Sequence, residues 1–270
     1  VYPAHGAGSL CGKNLSDETF STMGTQKSDN WAFQIKNEAD FVKALLEDQP
    51  FVPQYFPFDV EVNRQGADAM AESIRNVTQL DQGAPLEKGI LIVDTRNQEQ
   101  FKNGHLPGAL NIMEGGKFET WLGTLVNPEQ PFYLIAGNSE ELESIIHKAA
   151  KIGYEKNIKG AQIGADSYEQ SSHILSLEDF KTNPENYLVV DIRNASEVKT
   201  GSIFEDAINI PLPELMERAQ EVPSGKPVVV HCAGGYRSAA GSSILQAALP
   251  EAAVYDLSEA VVNFPVHMEV

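Results

Sequence analysis

The chain has 270 residues, enough for one large domain or for two ordinary domains that each bury a hydrophobic core. Hydrophobic residues make up 42% and charged residues 21%, which indicates a folded chain rather than a disordered one. The net charge of −18 argues against nucleic-acid binding because such a surface repels phosphate, and no apolar run reaches the length of a membrane span.

Residues 1–36 are rich in Gly, Ser and Thr and show neither a helical nor a strand period. They lack the basic start and apolar run of a secretory signal, and the absence of an initial Met leads us to expect a fragment of a longer protein. The cysteines, Cys11 and Cys232, are too few to staple a chain of this length, so we predict free thiols in a reducing compartment, the cytoplasm. Cys11 is predicted to be a packing residue. Residues 37–72 are predicted to hold one helix, NEADFVKALLEDQ, and an irregular linker that includes FVPQYFPFD.

A sequence repeat organises the rest of the chain. Each copy has an apolar strand that ends in Asp-x-Arg, a Gly ten residues after the Asp, and an Ala-x-Asn-Ile run. A second apolar strand follows, PFYLIA ending at Ala136 and PVVVHC ending at Cys232, and runs into a helix-forming segment. Continuous apolar strands that alternate with helices predict an α/β fold, with parallel sheets packed between helices and an irregular tail before them. A repeat of this length predicts two domains, at residues 73–165 and 166–270.

The loop after the last of these strands, Cys-Ala-Gly-Gly-Tyr-Arg-Ser, carries the candidate chemistry. Gly234 and Gly235 allow the loop to curl with its amides pointing inward, and Ser238 is predicted to cap the next helix. Inward amides at a helix N-terminus form an anion-binding nest, which favours a thiolate at Cys232. Arg237 adds a positive charge at the rim. We therefore predict that Cys232 is an activated nucleophile rather than an inert core cysteine.

The Asp-x-Arg repeat, the run Gly-His-Leu-Pro-Gly-Ala and the Cys232 loop resemble the rhodanese family over residues 73–270. The resemblance implies a sulfurtransferase that moves a sulfane sulfur from thiosulfate or a thiol persulfide to sulfite, cyanide or a thiol. The sulfur would be held as a persulfide on Cys232, with no metal or organic cofactor. Arg237 would bind the anionic substrate, and Asp191 and Arg193 would brace the loop. The persulfide would lie among the amides of Ala233, Gly234, Gly235, Tyr236 and Ser238.

The first copy departs from this pattern at the reactive position. Ala136 replaces the cysteine, and the shorter loop carries Glu140 and Glu141 instead of Gly-Gly and Arg. Without a thiol the first domain cannot hold a persulfide, so we predict a scaffolding or docking role for it. In the second copy Ser202 stands where the family often has a His, and His231 is predicted to be a core histidine rather than a group that tunes the thiolate.

The N-terminal segment VYPAHGAGSLCGKNLSDETFSTMG resembles the C-terminal end of a metallo-β-lactamase-fold domain. His5 matches a metal ligand of that family, but the other ligands are absent, so we predict that His5 binds no metal in this chain. The order of segments resembles the bacterial persulfide dioxygenase–rhodanese fusions. This resemblance implies a metallo-β-lactamase-fold partner domain in the parent protein.

Two other functions fit parts of the pattern. Cysteine-dependent phosphatases place five residues between Cys and Arg, whereas four separate Cys232 from Arg237, so this loop suits sulfur better than phosphate. A rhodanese-like binding or scaffold module without turnover is favoured by the degenerate first domain. Sulfur transfer from thiosulfate that is lost in Cys232→Ser would separate the enzyme from the scaffold.

Overall fold

A computed structural model describes residues 1–5, 18–47, 51–165 and 167–267. The chain divides into two compact units, Val1–Phe51 and Val52–Val270. Cys11, for which the sequence predicts a packing role, lies outside the described residues, together with the rest of residues 6–17. Within the described ranges, no helix is both long enough and apolar enough to cross a membrane.

The described part of the first unit consists of short helices. They are α1 (Met23–Asp29), α2 (Trp31–Gln34) and α3 (Glu38–Leu46). Each begins after a residue whose side chain accepts a hydrogen bond from an amide of the first turn, namely Thr22, Asn30 and Asn37. The third helix lies where the sequence predicts one. The first two are too short to leave a helical period in the sequence.

The second unit begins with α4 (Tyr55–Gln65) and α5 (Met70–Arg75). The prediction of an irregular linker at FVPQYFPFD was wrong, because α4 starts within it. Pro57 is the third residue of this helix, where the missing amide hydrogen would have had no partner in the helix. Tyr55 and Phe58 pack against the hydrophobic core, so the aromatic residues of the segment anchor a helix.

The first repeat forms one four-stranded sheet. Its elements are β1 (Leu91–Asp94), α6 (Gln98–Asn103), β2 (Leu110–Asn111), α7 (Phe118–Leu125), β3 (Phe132–Ala136), α8 (Ser139–Ala150) and β4 (Ile158–Ile163). The strand order is β2-β1-β3-β4, and all neighbouring strands are parallel.

The second repeat forms a sheet with the same topology. Its elements are α9 (Leu177–Thr182), β5 (Leu188–Asp191), α10 (Ala195–Thr200), β6 (Ile208–Asn209), α11 (Leu215–Arg218), β7 (Val228–His231), α12 (Tyr236–Ala248) and β8 (Val254–Asp256). The order is β6-β5-β7-β8, again with parallel neighbours. Short 3-10 helices connect these elements at Glu155–Asn157, Pro184–Asn186, Leu212–Glu214, Ala219–Glu221 and Ser258–Asn263.

The strand order places the candidate nucleophile. Both β3 and β7 are buried along their whole length, which explains their continuous apolar sequences. From β5 the chain passes to β6 on one side and then to β7 on the other. A crevice opens at such a reversal, outside the carboxyl ends of the two central strands. Asp191 ends β5 and Cys232 follows β7, so both lie at this crevice.

Helix α12 is shared between the two repeats. It lies against β7 and β8 of its own sheet and against β2 of the first sheet. Small residues allow this close packing: a Cβ added at Gly241 would lie 2.6 Å from Cδ1 of Ile192. On the other side, the amide of Asn111 donates to the Ser243 hydroxyl at 3.0 Å. The helix that follows Cys232 is therefore held by both domains.

Candidate active site

Cys232 lies at the bottom of the loop that joins β7 to α12. Its side chain is buried, with the residue 1% exposed. The amide of Gly235 donates a hydrogen bond to Sγ over an N–S distance of 3.2 Å. Gly235 is the capping residue immediately before α12, and the aligned peptide dipoles place partial positive charge at this end of the helix. Negative charge on the sulfur would therefore be stabilised by the loop backbone and the helix end together.

Gly235 gives the loop its shape. It adopts φ +97°, a left-handed conformation that side chains disfavour. A Cβ at this position would lie 2.8 Å from the backbone nitrogen of Glu259. Gly234 has no positive φ, and a Cβ there would meet no atom within 4 Å. Of the two glycines that the sequence singles out, Gly235 is the one that the loop conformation requires.

Ser238 does not cap the helix, so that prediction was wrong. The left-handed turn at Gly235 starts α12 already at Tyr236, which leaves Ser238 inside the first turn. Its buried hydroxyl donates to the Gly235 carbonyl oxygen at 2.9 Å. The Ser238 side chain therefore stabilises the loop by a hydrogen bond to its backbone. It does not line the cavity above Cys232.

Arg237 is held by an acidic partner that the sequence analysis missed. Its two terminal nitrogens donate to the two carboxylate oxygens of Glu197, at 2.6 and 2.7 Å. The same carboxylate accepts the amide of Asn194 at 3.1 Å, at the start of α10. Hydrogen bonds from Arg237 hold the pKa of Glu197 below its usual range. The signal in the sequence was a Glu three residues after Asn194, the spacing of a capping box.

Asp191 and Arg193 form a buried brace below the loop. The Arg193 Nε and terminal nitrogen donate to both carboxylate oxygens of Asp191, and the guanidinium also donates to the Gly201 carbonyl at 3.1 Å. The first repeat has the same brace, in which Arg96 binds Asp94 and the Gly104 carbonyl. Because it is present in the copy without a cysteine, the brace supports the fold of each repeat.

His231 is buried in the core at the end of β7. Its Nδ1 lies 3.3 Å from the Cys232 carbonyl oxygen, and its Nε2 lies 3.6 Å from Oδ2 of Asp191 without a hydrogen-bond partner in the described part of the chain. Burial lowers the pKa of the imidazole, so the ring is neutral at neutral pH. These positions agree with the interpretation of His231 as a core histidine.

A cavity of about 410 Å³ opens above Cys232. The lining includes Asn194 and Glu197 and most of the loop, namely Cys232, Ala233, Gly234, Tyr236 and Arg237. Lys117 and Trp121, from the first repeat, complete the lining. Nothing in the sequence pattern pointed to these two residues, because no local motif includes them.

Tyr236 ties the loop to the first repeat. Its hydroxyl donates to the Met113 carbonyl oxygen at 2.5 Å. Burial raises the pKa of this phenol, so the hydroxyl keeps its proton. The ring also approaches Gly115, at which an added Cβ would lie 3.5 Å away. The segment that precedes α7 therefore packs directly on the loop that follows Cys232.

The sequence model of a protein family, the rhodanese-like domain, matches this chain twice, at residues 77–170 and at residues 176–264. The chain belongs to the rhodanese-like family. With the two parallel sheets, this match confirms the predicted α/β fold of two rhodanese-like domains.

Similarity to individual proteins is partial. A protein named Sulfurtransferase from Allochromatium vinosum is 36% identical over 63 residues, which cover 23% of this chain and 58% of that protein. YqhL, an uncharacterised protein from Bacillus subtilis, is 32% identical over 72 residues, which cover 27% of this chain and 56% of that protein. The chain thus spans little more than half the length of these curated relatives. The alignment with a crystal structure of a metallo-β-lactamase from Staphylococcus aureus covers 60% of this chain and 44% of the metallo-β-lactamase chain. The sequence identity is 33% and the TM-score is 0.44.

The first rhodanese-like domain fills its equivalent loop with its own carboxylate. Ala136 ends β3, and α8 begins at Ser139 after the capping residue Asn138. The Gly137 amide donates to Oε2 of Glu141 at 2.9 Å, and a Cβ at Gly137 would lie 2.6 Å from that oxygen. In the second domain a loop amide faces a sulfur, whereas in the first a loop amide already holds an anion of the chain itself.

Proposed function

We propose that this chain is a sulfurtransferase in which Cys232 accepts a sulfane sulfur from an anionic donor and passes it to a second nucleophile. One observation carries the proposal: the Gly235 amide donates to Sγ at the N-terminus of α12, below an open cavity. The partial match to a protein named Sulfurtransferase supports it. The first rhodanese-like domain has Ala136 in place of the cysteine, so the proposal depends on the loop of the second domain.

The reaction is a double displacement. The Cys232 thiolate attacks the outer sulfur of thiosulfate; a new S–S bond forms, the S–S bond of thiosulfate breaks, and sulfite leaves with the electron pair. A thiol persulfide reacts in the same way and releases a thiolate. The acceptor, which is sulfite, cyanide or a thiolate, then attacks the outer sulfur of the persulfide, and the Cys232 thiolate leaves. No net oxidation occurs, so the steps require no metal or organic cofactor.

The loop backbone would stabilise charge in both steps. The Gly235 amide and the partial charge of the helix end face Sγ, where negative charge is present before loading and develops again during transfer. Arg237 has five N–H donors, and Glu197 accepts two of them. The remaining donors at the cavity can bind substrate oxygens, while Glu197 fixes the plane of the guanidinium.

The physiological direction follows from the resemblance of residues 1–36. If the parent protein carries a metallo-β-lactamase-fold persulfide dioxygenase, its product sulfite meets a low-molecular-weight persulfide at Cys232, and the rhodanese-like site forms thiosulfate. The free thiol of Cys232 suits a reducing compartment such as the cytoplasm. Thiosulfate, sulfite and a thiol persulfide are therefore the proposed small-molecule partners.

Intact-mass spectrometry of the chain after incubation with thiosulfate tests the proposal. The wild type should gain the mass of one sulfur atom and lose it again on addition of cyanide or sulfite. The Cys232→Ser variant should gain nothing, because a hydroxyl is a far weaker nucleophile toward sulfur. If neither thiosulfate nor glutathione persulfide adds sulfur to the wild type, the sulfurtransferase proposal is wrong.

A non-catalytic binding module is the second candidate. The pairing of Arg237 with Glu197 and the burial of Cys232 favour it, because both reduce what the site offers to a substrate. An unchanged mass with every donor would support this alternative. Sulfur uptake that is restricted to the wild type would contradict it.

A further inference from the structure

We propose that Lys117, from the domain without a cysteine, binds the anionic end of the substrate at Cys232 together with the remaining donors of Arg237. The inference rests on the proposed sulfurtransferase function and assigns its substrate specificity. It gives the first rhodanese-like domain a direct part in the site that it borders. Lys117 lines the cavity above Cys232 together with Trp121 of the same domain.

The charges around the cavity single out Lys117. Three side chains with a formal charge line it, and two of them, Arg237 and Glu197, neutralise each other in a two-pronged ion pair. The Lys117 ammonium has no hydrogen-bond or ion-pair partner among the residues that the structure describes. Among the residues that the structure describes, Lys117 is therefore the cation at this cavity that no carboxylate pairs, and it comes from the first domain.

The acidic residues near Lys117 are bound elsewhere. Glu114 is paired with Lys148, and Glu119 is paired with Lys151 at 3.1 Å. Lys148 lies in α8 and Lys151 directly after it. The ion pairs with these two lysines therefore occupy the carboxylates that would otherwise pair with Lys117. Lys148 also donates to the Gly115 carbonyl at 3.1 Å, which fixes the segment that leads to Lys117.

Helix stability does not explain a lysine at this position. Lys117 occupies the capping position of α7 and forms no side-chain capping hydrogen bond. A cation at a helix N-terminus is disfavoured, because the peptide dipoles already place positive charge there. From this position Lys117 lines the cavity above Cys232. The segment is also held against the nucleophile loop by the hydrogen bond from Tyr236 to Met113.

Selective alkylation of Cys232 tests the assignment without requiring turnover. Iodoacetate carries a negative charge and iodoacetamide does not, and both react with the same thiolate. The ratio of their second-order rate constants therefore reports how well the cavity accepts an anion, independently of the thiolate fraction. Lys117→Met should lower this ratio about three- to fivefold, the range expected for one solvent-exposed charge. Lys117→Arg should retain the ratio of the wild type.

Lys88→Met is the matched control. It removes the same charge from the same domain, but Lys88 lines a different cavity. Its ratio should equal that of the wild type. An unchanged ratio in Lys117→Met, an equal drop in Lys88→Met, or a wild-type Cys232 that neither reagent modifies would each overturn the assignment.

The result also separates this inference from the proposed function. If thiosulfate loads Cys232 but the alkylation ratio does not depend on Lys117, the proposed sulfurtransferase function is supported and the proposed role of Lys117 is wrong. If the ratio drops in Lys117→Met but no donor loads the thiol, the cavity selects anions for another purpose. Where both hold, Lys117→Met should raise KM for thiosulfate about three- to fivefold with little change in kcat.

Discussion

Gly234 and Gly235 are adjacent in the loop that follows Cys232 but differ in how an added methyl group would affect stability. Gly235→Ala should lower the free energy of unfolding by about 2 kcal/mol, because the new Cβ is disfavoured at φ +97° and meets the Glu259 backbone. The displaced amide would no longer face Sγ, so the rate of sulfur transfer should fall about tenfold or more. Urea denaturation and a thiosulfate assay measure the two effects.

Gly234→Ala serves as the control for this substitution. Its Cβ would point into open space at an ordinary φ, so stability should change by less than about 1 kcal/mol. Equal losses in the two variants would show that loop mobility, and not the left-handed turn, sets the position of the amide.

The braces that join a strand to the following loop belong to the scale of the element. Arg193→Met would leave Asp191 buried without its partner, with the residue only 2% exposed, and should cost about 3–5 kcal/mol of stability in urea denaturation. Arg96→Met breaks the equivalent brace to Asp94 in the first domain and should cost a similar amount. The double variant Asp191→Asn/Arg193→Met should recover part of the loss.

The comparison between the two domains separates structure from chemistry. If both braces only support the fold, Arg193→Met and Arg96→Met should reduce stability alike, and the transfer rate per folded molecule should change little in either. A stable Arg193→Met variant that has lost sulfur transfer would instead make Arg193 part of the reactive site.

At the scale of the molecule, the ion pair between Lys102 and Asp256 links the two rhodanese-like domains. Lys102 lies 2.9 Å from Oδ2 of Asp256, whose side chain is 1% exposed. Lys102→Met should lower stability by about 2 kcal/mol, because Asp256 would keep only its hydrogen bonds from Ser258. Lys156→Met, which breaks the exposed pair with Asp68, should have a much smaller effect on the urea midpoint. Equal effects would mean that the link between the domains contributes nothing specific.

The sequence predicted the features that depend on neighbouring residues. Apolar runs predicted the parallel strands. The Cys-x-Gly-Gly-x-Arg loop predicted several amides around Cys232, and of these the Gly235 amide donates to Sγ. The errors arose where a contact overrides local preference: packing of Tyr55 makes a helix of a proline-containing segment, and the left-handed Gly235 moves the helix start ahead of Ser238. Lys117 and Trp121 were missed because they reach Cys232 only through the docking of two domains.

The depth of Cys232 also sets which reactants can meet it. The thiol itself is nearly closed to solvent, whereas a bound outer sulfur would stand about 2 Å further out, one S–S bond length into the cavity. We therefore expect the unloaded thiol to react with small anions much faster than with a cysteine on the surface of another protein. Only after loading does a reactive atom come within reach of a bulky thiol. In the proposed sulfur transfer, the burial of one residue would thus order the cycle in time, with small donors first and larger acceptors afterwards. It would also protect the resting thiol from mixed disulfides with other proteins.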